Sequence, residues 1–76
     1  MAVQLQGRVA ANLEAARRLA RLTKPEVAGA LGVDVRAITR WEAGTSIPTP
    51  ANLVALGDLY GFDAGWFWAD HGRDAG

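Results

Sequence analysis

The 76-residue chain contains no cysteine, and only one histidine (His71), one serine (Ser46) and one methionine. Without cysteine there can be no disulfide, no thiolate nucleophile and no cysteine zinc site. A lone histidine cannot build a histidine metal cluster. No glycine-rich phosphate loop follows a strand pattern, and the eight carboxylates are scattered along the chain. The expectation from these absences is a protein that is not an enzyme and that uses no metal or cofactor. Unbroken apolar runs stop at about four residues, as at Leu53 to Leu56, far short of a membrane-spanning helix. Nor does the N-terminus carry the charged-then-apolar pattern of a secretory leader. The chain also lacks an excess of either charge, with eight Lys and Arg against eight Asp and Glu. Taken alone, that neutrality argues weakly against a polyanionic partner.

Half of the residues are hydrophobic, too many for a disordered tail. The length suits one small domain spanning residues 1–76, in the cytoplasm and away from any membrane. The neutral total hides an uneven distribution. Residues 1–42 hold seven basic and four acidic side chains, a balance of +3, whereas residues 43–76 hold only Arg73 against four aspartates, a balance of −3. A basic front half is what a polyanionic partner would recognise.

Alanine is the commonest residue, and apolar positions recur at helical spacing rather than alternating. Leu5, Val9, Leu13, Ala16 and Ala20 form one face of a first helix. Thr23 and Glu26 have capping-box spacing, with Pro25 in the first turn, and Gly32 stops the helix they open. Asp34 is an N-cap for a third helix that ends at Gly44. Thr49 and Pro50 open a fourth, with Leu53, Leu56 and Tyr60 on its inner face and Gly57 allowing a close approach; Gly61 closes it. Asp63 would cap a last short helix through Trp66, Phe67 and Trp68. The expected helices are about 5–20, 24–31, 35–42, 50–60 and 64–69, followed by a mobile tail over 70–76.

From Lys24 to Glu42, two short helices are separated only by Gly32, Val33 and Asp34. The apolar set is Val27, Ala28, Leu31, Val33, Ile38 and Trp41, with small Ala28 where the helices cross and Gly32 where the chain turns. This is a helix-turn-helix pattern. With Arg17, the strings Leu22 to Ala28 and Leu31 to Val33, Ile38 to Gly44 with Pro48, then Leu53, Leu56, Tyr60 to Phe62 and Trp66-Phe67, the sequence resembles the helix-turn-helix family of phage repressor and Cro proteins, also called xenobiotic-response-element-like regulators. The resemblance covers roughly residues 13–67. It implies an all-α fold, a compact five-helix lambda-repressor-like domain with its helix-turn-helix made by helices 2 and 3, binding double-stranded operator DNA.

Advancing about 100° per residue from Val35 sets Ile38, Trp41 and Glu42 on one side of the third helix, and Arg36, Thr39 and Arg40 on the other. In the family that outer face enters the major groove. Arg36 would then read a guanine through O6 and N7, Arg40 would reach a base or a phosphate, and Val35 and Thr39 would touch a thymine methyl. Thr23 and Lys24, at the N-terminus of the second helix, would clamp a phosphate through free backbone N–H groups. The loop containing Ala43, Thr45 and Ser46 would hold another. The family commonly has Gln in place of Lys24, so this chain favours a phosphate role there. The resemblance further implies a structural ion pair between Arg17 and Glu42. Arg21 stands where the family often has Gly, which predicts strain at the end of the first helix.

Three consecutive aromatic residues on a short helix cannot all face one small core, so at least one of Trp66, Phe67 and Trp68 should be exposed unless a partner covers it. Trp66 and Trp68, with Val54 and Leu59 off the main stripe of their helix, are candidates for a homodimer interface. The leading expectation is a repressor/Cro-type transcription regulator that binds a palindromic operator as a dimer. The rival is an antitoxin or anti-repressor module whose C-terminal aromatic surface grips a protein partner.

Overall fold

The computed structural model describes residues 2–71, with side chains from Gln6 onward. Four α-helices, α1 (Ala2–Leu19), α2 (Lys24–Leu31), α3 (Val35–Ala43) and α4 (Pro50–Tyr60), are followed by a 3-10 helix, Ala64–Trp68. No strand occurs among the described residues. None of the described helices is long and apolar enough to cross a membrane. The expected burial of Leu5 and the expected behaviour of residues 72–76 fall outside the described residues.

The starts of α2, α3 and α4 are made by the side chains that the sequence nominates. The Thr23 hydroxyl accepts from Glu26 N–H while the Glu26 carboxylate accepts from Thr23 N–H, a complete capping box. Asp34 and Thr49 accept from the N–H groups of Arg36 and Asn52. The last element departs from expectation. It is a 3-10 turn of five residues, not an α-helix over 64–69, and Asp63 makes no side-chain cap. So short a segment gains too few i to i−4 bonds to hold an α-helix by itself, and its conformation follows the surface it lies on.

The end of α1 shows what a misplaced residue type costs. Leu22 N–H bonds to Arg17 C=O and Arg21 N–H to Arg18 C=O. That is a Schellman closure, which requires its penultimate residue to be left-handed. Arg21 fills that position at φ +59°, the sole non-glycine residue at positive φ among those described. At the corresponding position after α2, Gly32 adopts φ +71° without a Cβ penalty.

The core contains Val9, Leu13 and Ala16 from α1, Val27 and Ala28 from α2, Ile38 and Trp41 from α3, Leu53, Leu56 and Tyr60 from α4, and Phe67 from the 3-10 turn. Leu31 and Val33, expected inside, are only partly buried and lie against this cluster. Gly57 is small for a reason other than helix crossing. Its carbonyl accepts from Gly61 and Phe62 N–H, and a Cβ there would collide with the Phe62 carbonyl oxygen. The 3-10 turn packs on α1 as well as on α4. Fully buried Asn12 holds it there, its amide donating to the carbonyls of Phe67 at 2.8 Å and Ala69 at 2.9 Å, with a longer contact to Trp66.

The expected exposed aromatic does not occur. Phe67 is completely buried, and Trp66 and Trp68 are partly buried. Phe62 stacks on one side of Trp66 with centroids 4.2 Å apart, and His71 stacks on Trp66 at 4.0 Å. His71 Nε2 lies 2.7 Å from the Trp66 carbonyl oxygen. The histidine placed by sequence in a mobile tail therefore packs on Trp66. The chain itself does the work assigned to a partner.

Candidate nucleic-acid interface

Helices α2 and α3 pack against each other through Val27, Ala28, Ile38 and Trp41. With those positions inward, the opposite face of α3 is left to solvent. Arg36, Thr39 and Arg40 are all exposed, and Val35 is 38% exposed. The four residues nominated as base readers thus share one accessible face, as the 100° advance requires.

Behind that face stands the Arg17–Glu42 pair. Arg17 Nε donates to Glu42 at 2.7 Å and Nη2 donates to its other oxygen at 3.0 Å. Nη1 donates to the Leu22 carbonyl at 3.0 Å. The side chains are 12% and 5% exposed. One guanidinium therefore ties α1, the α1–α2 turn and α3 together, fixing the angle at which α3 is presented. The bond to Glu42, strengthened by its charge, holds Arg17 firmly protonated, its pKa raised above the ordinary arginine value. The same carboxylate, with burial as the larger cause, pushes the nearby Tyr60 phenol up to about 12.

The phosphate candidates divide. Thr23, Ala43 and Thr45 are exposed, whereas Lys24 and Ser46 are partly buried. At the N-terminus of α2 the capping box already uses the N–H groups of Thr23 and Glu26, Val27 N–H bonds to the Thr23 carbonyl, and Pro25 has none. Among the described residues only the Lys24 N–H remains there without a backbone or capping partner. The Glu26 carboxyl, its pKa lowered by those Thr23 bonds, also puts a negative charge where an anion was expected. In the loop after α3, both the N–H and the hydroxyl of Thr45 donate to the Arg40 carbonyl. Free backbone donors are therefore fewer at both places than the sequence implies, and side chains carry more of any phosphate contact.

A profile of the helix-turn-helix domain matches residues 8–65. The chain belongs to the helix-turn-helix domain family. Its match spans α1 from Arg8, the α2–α3 pair and all of α4, so the domain includes the helices packed around the helix-turn-helix as well as the two that form it. Membership points to a DNA-binding regulator with double-stranded DNA as partner. No curated protein and no solved structure matches the chain.

Two features of this helix-turn-helix domain escaped sequence reasoning. Asp34 was read only as a cap, yet its carboxylate also grips the Arg36 guanidinium. The spacing that permits this, an acidic N-cap two residues before an arginine, was visible. Asn12 carried no comparable signal, because its acceptors lie more than fifty residues away.

Proposed function

We propose that the protein is a sequence-specific transcription regulator of the repressor/Cro type, with the lambda-repressor-like arrangement that its sequence resembles. It acts in the cytoplasm, without cofactor or catalysis, by occupying a palindromic operator as a dimer. The observation that carries this reading is the outer face of α3. Val35, Arg36, Thr39 and Arg40 stand together there in solvent, on a helix whose opposite side is locked into the core. Arg36 and Arg40 supply the donors for base edges, and Thr23, Lys24, Ala43, Thr45 and Ser46 flank the phosphate backbone.

A dimer would set two such helices about one DNA turn apart. Val54, 53% exposed on α4, supports that contact; partly buried Leu59, Trp66 and Trp68 contribute less free surface. Coverage of Trp66 by Phe62 and His71 leaves less free aromatic surface for a protein partner.

Selection from a random duplex pool, followed by salt titration, tests the proposal. A two-fold related consensus bound with an affinity that falls steeply with salt is the expected result. Recovery of no consensus would remove it, and recovery of a single half-site would remove the dimer.

A further inference from the structure

The N-cap of α3 does more than begin a helix. Asp34 Oδ1 accepts from the Arg36 backbone N–H at 2.8 Å and from Arg36 Nε at 3.1 Å, and Oδ2 accepts from Arg36 Nη2 at 3.1 Å. The carboxylate therefore takes the Nε edge of the guanidinium in a two-pronged contact. The end-on edge, formed by Nη1 and the second hydrogen of Nη2, is left pointing away from Asp34. That edge has the parallel donors that match guanine O6 and N7. A long, otherwise flexible side chain, 80% exposed, is thus held with its reading edge outward.

A cap alone does not require a carboxylate. In this same chain α2 and α4 are capped by the threonine hydroxyls of Thr23 and Thr49, and Ser, Thr or Asn serve as well as Asp. The negative charge of Asp34 also disfavours a phosphate beside it, so Arg36 is held back from sequence-blind backbone contact.

We propose that Asp34 is a specificity-determining positioning residue: it orients Arg36 for a guanine and keeps it off the phosphates. The inference rests on the proposed operator-binding reading, with Arg36 as a base reader.

The test compares wild type, Asp34→Asn, Arg36→Ala and the double variant on duplexes that carry each of the four base pairs at the position where Arg36→Ala loses discrimination. Asparagine keeps the cap, and thermal melting verifies folding; Asp34→Ser is the second variant if the first does not fold. Asp34→Asn is expected to reduce the guanine preference by about five-fold or more, to leave binding to unselected duplex unchanged or tighter, and to have no further effect on discrimination once Arg36 is alanine. An unchanged guanine preference, or an equal loss on all four pairs, overturns the positioning role while leaving operator binding intact. Failure of the wild type to select any sequence shows in the first arm, and removes the operator-binding reading together with this inference.

Discussion

Two arginine–carboxylate pairs of similar geometry do opposite work in this molecule. Arg17 and Glu42 are separated by 25 residues in sequence, nearly excluded from water, and join α1 to α3. Arg36 and Asp34 are two residues apart, largely exposed, and join nothing but the head of α3 to itself. Water decides the difference. In the interior, removing one partner leaves a charge with neither solvent nor counter-ion, so the pair is expensive to break. At the surface, solvent and salt replace a lost partner cheaply, so the pair orients a side chain while adding little to stability. The first pair sets where the outer face of α3 stands, and the second holds a side chain on that face.

The largest expected effect breaks the buried pair. Glu42→Ala should lower unfolding free energy by about 3–5 kcal/mol in urea titration. A loss under about 0.5 kcal/mol would put this pair in the same class as the exposed one. A second substitution asks whether charge or burial matters more. Asn12 is more deeply buried than Glu42 but neutral, and it ties α1 to the 3-10 turn. Asn12→Ala should cost roughly 1–3 kcal/mol, because buried carbonyls of that turn lose their donor. If it costs as much as Glu42→Ala, burial rather than charge governs both ties.

Smaller effects belong to exposed arginines. Arg21 is held by its backbone rather than by an ion pair, at a φ that disfavours any side chain. Arg21→Gly should raise unfolding free energy by up to about 1 kcal/mol, less whatever glycine adds to the entropy of the unfolded chain. A loss on this change would mean that the arginine side chain makes contacts outweighing its strain.

The smallest effect is acid sensitivity at the exposed pair. Hydrogen bonds from the Arg36 guanidinium and backbone, with its charge, lower the Asp34 pKa to about 2. A carboxyl with a depressed folded-state pKa contributes stability that is complete above its unfolded value, near 4, and is lost as pH falls towards the folded value. Melting temperature should therefore decline between about pH 4 and about pH 2, with part of that decline absent in Asp34→Asn. Identical acid profiles for the two proteins would show that the exposed pair contributes nothing to folding.

Much of the fold was legible because the helix-turn-helix is built from local rules. Thr23, Asp34 and Thr49 cap their own helices, Gly32 and Gly44 stop theirs, and the 100° advance separates Ile38 and Trp41 from Arg36 and Arg40. The exposed face of α3 was legible for the same reason. The backbone donors left at the expected phosphate positions were less so, since a capping box and a helix closure use N–H groups that position in sequence leaves apparently free. The aromatic end was misjudged because its short helix is 3-10, because its flanking residues Phe62 and His71 fold back onto Trp66, and because Asn12 reaches it from α1.

The sequence by itself determined where helices begin and end and which side of α3 faces water, since caps, glycines and periodicity act over a few residues. Only the tertiary structure decided which polar groups are taken by distant partners. Asn12 finds its carbonyls across more than fifty residues of chain, and Phe62 and His71, though near Trp66 in sequence, stack on it only because the chain folds back there, which helical periodicity does not encode.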